Sequence, residues 1–562
     1  MPLGGDASER IDDLRIAIVK DVLDGDQHAR RERVLVPADR HEARERFDVR
    51  GRELGEDAVP RLDPILGENV FGGVHERGPF GERHGHAPDS ISDTARKLRQ
   101  DARMTTTYDA IVIGTGQAGP SLAVRLAKAG RKTAIIERKL FGGTCVNVGC
   151  IPSKTLIASA RAAHVARRAA DYGVVIEGEV RVDMARVKAR KDAVVRQSTE
   201  GITKWLKGTA NLAVIEGHAR FEGPHAVRVN DARLEAPQIF IDVGGRALVP
   251  DLPGLADVPY LTNTSIMDVD FLPEHLVILG GSYIGLEFAQ MYRRFGSRVT
   301  VIEKGPRIVA HEDDDVSAAL KTVLEGEGIE IRESATCLGV EKRGEKIAVA
   351  VSTGGAKGEI VGSHLLVAVG RVPNTNDLGL DVAGIKTDEH GFIVVDEELR
   401  TSAPGVWALG DVNGRGAFTH TSYNDYEIVA ANLLDGGSRR VSDRFPAYAL
   451  FTDPPLGRAG MTEREVRASG KRALVGKMMM SRVGRARERG ETQGFMKVLV
   501  DADSRKFLGA ALFGIEGDEV VHAILDMMYA GATCDVMIGA MHIHPTVSEL
   551  VPTLLGDLKP LA

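Results

Sequence analysis

The stretch YDAIVIGTGQAGPSLAVRLAKAG, residues 108–130, decides the fold class of this 562-residue chain. It begins with a short apolar run, continues through a glycine-rich turn and then carries apolar residues at helical spacing up to Gly130. This order predicts a buried β-strand, a tight turn and a helix. The next apolar run, TAIIER at 133–138, completes the strand–helix–strand alternation that is typical of a doubly wound α/β domain.

Three glycines in that turn, Gly114, Gly116 and Gly119, have the G-x-G-x-x-G spacing of a dinucleotide-binding motif. The first glycine permits the tight turn, the second lets the backbone approach a pyrophosphate, and the third lets helix and strand pack closely. Glu137, at the end of the next predicted strand, is placed to bind ribose hydroxyl groups. Strand, turn, helix and distal acid together predict a dinucleotide site.

A second segment, HLVILGGSYIGLEFAQMYRRFGSRVTVIEK at 275–304, repeats this arrangement. Gly280, Ser282 and Gly285 occupy the three motif positions, and Glu303 occupies the acidic one. Ser282 departs from the glycine pattern, so an ordinary turn between strand and helix is the alternative. A carboxylate at Glu303 favours NAD, because it repels a 2′-phosphate, but two basic residues that follow it leave NADP open. Two sites imply two dinucleotides, and we expect a flavin with a nicotinamide.

Two of the four cysteines, Cys145 and Cys150, stand together in GGTCVNVGC at 142–150. Their spacing is longer than that of a CxxC motif and lies outside the usual zinc pattern, so we predict a redox dithiol rather than a structural pair. A helix is predicted to begin at Pro152, and a thiol at a helix N-terminus has a lowered pKa. Cys337 and Cys534 are isolated, and we predict that both are buried.

Lys154 lies one helical turn after Cys150, where a cation favours both a thiolate and a reduced flavin; a surface lysine is the alternative. Near the C-terminus, MHIHPTVSELVP at 541–552 carries His542, His544 and Glu549. Glu549 can orient a histidine that acts as a base toward a thiol substrate. Two histidines near a carboxylate are also compatible with a metal site, although no further ligand is evident in the segment.

Composition narrows the class of protein. A formal net charge of -7 argues against a nucleic-acid binder, and four cysteines argue against a disulfide-stapled secreted scaffold. No apolar run approaches the roughly 20 residues of a membrane span, and the acidic start lacks the features of a signal peptide. We therefore expect a soluble, cytoplasmic protein with small-molecule partners, no nucleic acid and no membrane.

The first hundred residues differ from the rest in being dense in charged residues and poor in aromatic ones. Residues 1–103 offer few apolar positions at either a helical or a strand period, so we predict disorder there. A partner-binding tail is an alternative. Another is that the natural chain begins at Met104, because a strand pattern follows almost at once.

Taken together, the motifs over residues 105–562 resemble the class I pyridine nucleotide-disulfide oxidoreductases. They are GTGQAG, GGTCVNVGCIPSK, GGSYIGLE, VGRVPN, ALGDV and HIHPTVSE, in family order. The resemblance implies an α/β fold with two Rossmann-like dinucleotide-binding domains, for FAD and NAD(P), and a C-terminal α+β dimerisation domain that forms a homodimer. The implied boundaries are 104–255 with 375–445 for FAD, 256–374 for NAD(P) and 446–562 for the interface.

The resemblance also implies roles for individual residues. Cys145 is similar to the thiol that attacks the substrate, and Cys150 to the thiol nearest the flavin, which forms a charge-transfer complex with it. His544 and Glu549 resemble a base dyad that one subunit contributes to the other's active site. Lys154 resembles the lysine beside the flavin that pairs with a glutamate, here Glu287. The implied cofactor-binding residues are Gly114, Gly116, Gly119, Glu137, Gly143, Thr144, Lys154, Asp411, Gly280, Gly285, Glu303 and Gly370, with Arg371 beside the last.

The implied activity is that of a dihydrolipoamide dehydrogenase-like flavoenzyme, which transfers electrons between NAD(P)H and a small or carrier-bound disulfide. CVNVGC and Ser282 resemble the mercuric reductase branch, whereas the dyad and the lack of any cysteine after Cys534 do not. Mercuric-ion reduction, a flavin NADH oxidase or electron carrier, and a non-catalytic FAD-containing subunit are the alternatives. IDVGGRALVP at 241–250 replaces the ATG-type motif that is common in the family.

Overall fold

The structure is a computed structural model, and it describes residues 105–561. The predictions for residues 1–103 and for a start at Met104 lie outside the described residues. No helix within residues 105–561 is long and apolar enough to cross a membrane.

The first segment of the described chain contains a parallel sheet and a smaller mixed sheet. Its strands are β1 (Thr105–Thr107), β2 (Ala110–Ile113), β3 (Thr133–Glu137), β4 (Leu212–Glu216), β5 (Ala219–Gly223), β6 (Ala226–Val229), β7 (Ala232–Glu235), β8 (Gln238–Ile241) and β9 (Gly245–Ala247). Its helices are α1 (Gly119–Lys128), α2 (Gly143–Val148), α3 (Cys150–Arg167) and α4 (Met184–Lys207). Strands run in the order β8-β2-β3-β4 in the parallel sheet and β1-β7-β6-β5 in the mixed one.

The strand, turn and helix that the first motif predicts are β2, the glycine turn and α1. All four residues of β2 are buried, because the strand lies between β3 and β8 in the parallel sheet. Gly114, at the end of β2, has φ of +107°, and a Cβ atom there would lie 2.1 Å from the Asp242 carbonyl oxygen. Only glycine fits this turn. The predicted strand, tight turn and helix are therefore confirmed.

The segment around the cysteine pair forms two helices where one was predicted. Cys145 lies within the short helix α2, and α3 begins at Cys150, two residues earlier than the predicted start at Pro152. Gly149 separates the two helices. A Cβ atom on Gly149 would lie 2.7 Å from the Thr144 carbonyl oxygen, so the chain reverses tightly enough to bring the two helices side by side.

The second motif lies in a second, similar unit. Its strands are β10 (His275–Leu279), β11 (Arg298–Ile302), β12 (Glu330–Arg332), β13 (Ala335–Arg343), β14 (Lys346–Thr353), β15 (Ala356–Gly362), β16 (His364–Val367) and β17 (Arg371–Pro373), and its helices are α5 (Tyr283–Phe295) and α6 (Asp314–Gly326). A parallel sheet has the order β12-β11-β10-β16, and β13-β14-β15 form an antiparallel meander. β17 pairs with β9 of the first segment.

The chain then returns to the first sheet and ends in an antiparallel one. β18 (Val406–Ala408) lies beside β8, and α7 (Thr419–Leu434) follows it. The last strands are β19 (Ala447–Leu450), β20 (Leu456–Gly460), β21 (Ala473–Met479), β22 (Phe495–Asp501), β23 (Phe507–Phe513) and β24 (Lys559–Pro560). The helices here are α8 (Glu463–Ala468), α9 (Gly484–Glu488), α10 (Gly517–Tyr529), α11 (Cys534–Gly539) and α12 (Val551–Gly556). The sheet order is β19-β20-β23-β22-β21-β24.

β22 and β23 form a hairpin of antiparallel neighbours joined by a turn after Asp501. The α/β fold class, with two parallel sheets and a C-terminal α+β region, is confirmed. Cys534 is buried as predicted, but Cys337 is only half-buried because β13 is an edge strand of its meander.

Buried charges join the second unit to the C-terminal sheet. Glu312, which precedes α6, is 0% exposed, and its carboxylate accepts hydrogen bonds from Arg458 on β20, which is 1% exposed. Asp313 contacts both Arg458 and the buried Lys497 of β22, the latter at 3.0 Å. Tyr448 also donates to Glu312, at 2.7 Å. Every charge in this cluster has a partner of opposite sign, as buried charges require.

We predict that Glu312→Ala destabilises the protein by about 3–5 kcal/mol, because it leaves the Arg458 guanidinium buried without its main acceptor. The midpoint of chemical denaturation measures the effect. Glu389→Ala is the matched control, since that side chain is 86% exposed. Equal midpoints for the two variants would contradict the prediction.

Candidate functional site

A single cleft of about 1670 Å³ connects both glycine turns with the cysteine pair. This volume exceeds the roughly 300–1,000 Å³ that is typical of a site for one small ligand, so it fits two large cofactors. The predicted residues on its wall are Gly114, Gly116, Glu137, Gly143, Thr144, Cys145, Cys150, Lys154, Gly280, Glu287, Glu303, Gly370, Arg371 and Asp411.

Two predicted motif residues, Gly119 and Gly285, lie behind the cleft wall. A Cβ atom on Gly119 would lie 2.3 Å from the Gly114 carbonyl oxygen, and one on Gly285 would lie 2.1 Å from that of Gly280. The third glycine of each motif therefore allows the helix to pack closely against the strand that precedes it, which is the role of this position in the motif.

The acidic residue of each motif is already held at its turn. The Glu137 carboxylate accepts hydrogen bonds from the Thr115 backbone N–H at 3.0 Å and from the Thr115 hydroxyl at 2.6 Å. Glu303 accepts from the backbone N–H of Gly281 at 2.7 Å and of Gly305 at 2.6 Å. In both turns the acid bonds the residue after the first glycine, so the two sites have the same local geometry despite Ser282.

The two thiols of the cysteine pair differ in acidity. The pKa of Cys150 is lowered to about 6, chiefly by a hydrogen bond from Cys145; the Thr419 hydroxyl, 3.1 Å from its sulfur, and the charge of Lys154 add to this against the opposing effect of burial. The same hydrogen bond, with burial, raises the pKa of Cys145. At neutral pH Cys150 is therefore the thiolate and Cys145 keeps its proton.

Lys154 is held in the cleft wall by Glu287. Its Nζ lies 2.8 Å from the Glu287 carboxylate and 4.5 Å from the centre of the Phe451 ring. The other oxygen of Glu287 accepts a hydrogen bond from the Phe451 backbone N–H at 3.0 Å. α3 thus supplies Cys150 and Lys154 on one face, one turn apart, and α5 supplies the acid that keeps the cation in place.

Asp411 and Arg371 face each other across the cleft wall. The Arg371 guanidinium lies 3.4 Å from the Asp411 carboxylate and donates to the Gly245 carbonyl oxygen at 2.8 Å. Burial raises the pKa of Asp411 despite this cation. The contact joins the segment after β16 to the loop after β18, which are far apart in the chain.

The motifs do not predict a cluster of aromatic residues in the wall of the cleft. Tyr283, the residue after Ser282, donates to Glu312 at 3.1 Å, and Phe418 stacks on Tyr448 with ring centres 5.3 Å apart. Thr419 follows Phe418 and contacts the Cys150 sulfur. These partners lie far apart in the chain, so no local pattern could reveal them.

His544 and Glu549 pair with each other, with the His544 Nδ1 atom 2.9 Å from the Glu549 carboxylate. The His544 side chain is 80% exposed, and neither residue is part of the cleft wall in the described chain. His542 forms a hydrogen bond with the Ala540 carbonyl oxygen at 3.1 Å. Within residues 105–561 no group of three or more His, Cys, Asp or Glu side chains could hold a metal ion.

Asp242 is a further cleft residue that the motifs do not identify. Its carboxyl group accepts a hydrogen bond from the Gly119 backbone N–H at 2.7 Å, at the N-terminus of α1. The signal in the sequence is the departure of IDVGG from the family's ATG-type motif.

Comparisons with known proteins agree with this geometry. The family model described as pyridine nucleotide-disulphide oxidoreductase matches residues 108–425, and the model of the dimerisation domain of that family matches residues 446–555. The probable pyridine nucleotide-disulfide oxidoreductase RclA of Escherichia coli is 35% identical over 80% of this chain and 99% of its own length.

Two further relatives have more specific names. Dihydrolipoyl dehydrogenase of Thermus scotoductus is 36% identical over 79% of this chain and 95% of its own, and mercuric reductase of Streptomyces lividans is 34% identical over 79% and 94%. The solved structure of the HOCl-induced flavoprotein disulfide reductase RclA from Escherichia coli has a TM-score of 0.74 and covers 80% of this chain and 100% of its own. A Cu(II) complex of that protein has a TM-score of 0.73.

We predict that alkylation of Cys150 in the reduced protein increases through a midpoint near pH 6, because the thiolate is the reacting form. Lys154→Gln and Thr419→Val are expected to move the midpoint upward, since each removes a group that lowers the pKa. Rates measured by peptide mass spectrometry, which separates Cys150 from Cys145, check this.

The control for these rates is Lys128→Gln, which removes an exposed lysine of α1. A midpoint near that of an ordinary thiol, at about pH 8.5, would contradict the assignment of the thiolate to Cys150.

Proposed function

Because the chain belongs to the pyridine nucleotide-disulphide oxidoreductase family, we propose that it moves two electrons from NAD(P)H through FAD to a disulfide substrate by way of Cys145 and Cys150. The observation that carries this proposal is the single cleft that contacts both glycine turns and both thiols. A dithiol with one low pKa, placed beside two dinucleotide turns, is suited to thiol–disulfide exchange.

We assign FAD to the first turn and NAD(P) to the second. The proposed FAD domain is 104–255 with 375–445, and the support is that β18 completes the sheet of β8, β2, β3 and β4. The proposed NAD(P) domain is 256–374, which contains the second parallel sheet, and the interface domain is 446–562. When bound, FAD supplies a hydride acceptor that can pass electrons on to a dithiol. The carboxylate of Glu303 favours NADH as the donor.

The reduced pair acts in two exchange steps. The Cys145 sulfur attacks one sulfur of the substrate disulfide, which forms a mixed disulfide and expels the other substrate sulfur as a thiolate. The Cys150 thiolate then attacks the Cys145 sulfur, releases the second substrate thiol and leaves a Cys145–Cys150 disulfide. The two electrons given to the substrate are replaced from NAD(P)H.

The first step needs a base, because the pKa of Cys145 is raised and its thiol keeps its proton. We assign this task to His544 of the partner subunit, with Glu549 orienting the imidazole; the same histidine returns the proton to the departing thiolate. Support comes from the dimerisation domain that carries the dyad and from the exposure of its neighbours: Met541 is 99% and Ile543 79% exposed. Apolar residues this exposed mark an interaction surface, which a homodimer would cover.

For the substrate we propose a small or carrier-bound disulfide, as in dihydrolipoyl dehydrogenase, and for the compartment the reducing cytoplasm. A second candidate is reduction of a thiophilic metal ion, suggested by the mercuric reductase relative and the Cu(II) complex of RclA. Two adjacent sulfurs suit such ions. NADH consumption with lipoamide, small disulfides, Hg(II) and Cu(II) in parallel separates these candidates.

We predict that Cys145→Ser retains bound flavin but loses NADH-dependent disulfide reduction by on the order of 10³-fold or more, because serine cannot form the mixed disulfide. Steady-state NADH oxidation with a disulfide acceptor measures the loss. Cys337→Ser, the same change at a half-buried cysteine remote from the cleft wall, is the control. Full turnover by Cys145→Ser would overturn the proposed function.

We predict that His544→Gln lowers disulfide reduction by about 10²–10⁴-fold without changing the rate at which NADH bleaches the flavin, because only the thiol half-reaction needs the base. His542→Gln is the matched control, since His542 bonds to a backbone carbonyl and, in the described part of the chain, not to a carboxylate.

Subunit mixing tests which chain supplies the base. Random exchange between Cys145→Ser and His544→Gln dimers would regenerate about one quarter of the wild-type activity, since each mixed dimer has one intact site. No regain after verified exchange would show that the base acts within its own chain.

A further inference from the structure

The IDVGG segment places a carboxyl group directly behind the first glycine turn. Asp242 ends the run of residues that continues β8, is 4% exposed, and accepts a hydrogen bond from the Gly119 backbone N–H at 2.7 Å. This N–H belongs to the first turn of α1, where the helix dipole favours an anion. Asp242 thus accepts a hydrogen bond from one of the backbone N–H groups that the motif offers to a pyrophosphate.

Two loops of the cleft rest on this carboxyl group. A Cβ atom on Gly116 would lie 2.8 Å from its Oδ2 atom, and one on Gly410 would lie 3.1 Å from its Oδ1 atom. Gly116 is the position at which the backbone approaches the pyrophosphate in this motif, and Gly410 precedes Asp411. The carboxyl group therefore lies between the phosphate-binding turn and the loop that completes the cofactor site.

The charges that face Asp242 are all negative. They are Asp411 from the loop after β18, Asp425 from α7 and Glu137 from β3. Burial, with these charges, raises the pKa of Asp242 well above its usual value, against the hydrogen bond from Gly119, which lowers it. Two of these acids have cations of their own, since Arg371 pairs with Asp411 and Arg444 pairs with Asp425. In residues 105–561 no lysine, arginine or histidine forms a salt bridge with Asp242. An ionised carboxylate here would have the Gly119 N–H as compensation but no cation, and a bound pyrophosphate would add further negative charge.

We propose that Asp242 is a positioning residue for FAD that works as a neutral carboxylic acid, accepting from the Gly119 N–H with its carbonyl oxygen and keeping a proton to donate on its other oxygen. This inference rests on the proposed assignment of FAD to the first glycine turn. Ionisation of Asp242 places an anion beside the pyrophosphate position and removes a donor, so flavin affinity falls as pH rises through the pKa of this group. The dependence has this sign because the bound state holds the proton more tightly.

The test measures flavin retention by the holoenzyme as a function of pH. Samples held between pH 6 and 10 are passed through a membrane that retains protein, flavin is measured by absorbance in both fractions, and far-UV circular dichroism of the same samples reports folding. The affinity of the wild-type protein for flavin is expected to weaken about ten- to hundredfold as the pH rises across this range. Asp242→Asn, which keeps an acceptor and supplies an N–H donor, is expected to hold flavin with an affinity that does not change with pH.

The matched control is Asp435→Asn, an exposed acid that pairs with Arg125 on the same domain, and it is expected to follow wild type. If Asp242→Asn is not recovered folded, Asp242→Ala replaces it, because it is also neutral and its affinity must also be independent of pH. A variant profile with the wild-type pH dependence overturns the inference, and so does loss of flavin from folded Asp242→Asn at every pH. Failure of the proposed function would appear separately, as wild-type holoenzyme that binds flavin but does not reduce disulfides.

Discussion

The close approach of a neighbouring strand to the first glycine of each turn is the constraint from which the site follows. The carbonyl oxygen of Asp242 lies 2.1 Å from the place where a Cβ on Gly114 would be, and that of Ala368 lies 2.4 Å from the corresponding place at Gly280. Each turn therefore passes over the carboxyl end of the adjacent parallel strand, and each following helix starts at the crevice where open α/β sheets bind ligands. The acids Glu137 and Glu303 bond to these turns, so their positions depend on the same approach.

The two cysteines of the pair differ in the pKa of their thiols. Gly149 lets α2 and α3 meet so closely that Cys145 and Cys150 share a hydrogen bond, which lowers the pKa of one thiol and raises that of the other. The thiolate is stabilised by Thr419 and Lys154, groups that belong to the interior of the cleft. The protonated thiol needs a base to react, and the histidine that we propose for this task, His544, lies 80% exposed on the C-terminal region. Electrostatics thus gives the two thiols different protonation states.

What could be predicted from the sequence was local. The two turns, their distal acids, the cysteine pair and the pairing of His544 with Glu549 all depend on residues close in the chain or on a fixed motif spacing. Asp242, Glu312 and Tyr448 were missed because each contacts a partner that is far away in the chain, and neither hydrophobic period nor motif spacing encodes such a contact. The start of α3 at Cys150 was missed because it depends on how tightly Gly149 packs against Thr144.

The buried charges between the second unit and the C-terminal sheet also bear on how this protein can be rebuilt. Glu312 and Asp313 lie in the second unit, which contains the second glycine turn. Arg458 and Lys497 lie in the C-terminal sheet, which belongs to the dimerisation domain. Suppose that this segment is replaced by the corresponding segment of a relative that has apolar residues at the two acidic positions. Arg458 and Lys497 would then be buried without these partners of opposite charge. An exchange of domains within the family must therefore replace all four residues together. The segment that can be exchanged without loss of these ion pairs thus extends beyond the boundary between the domains.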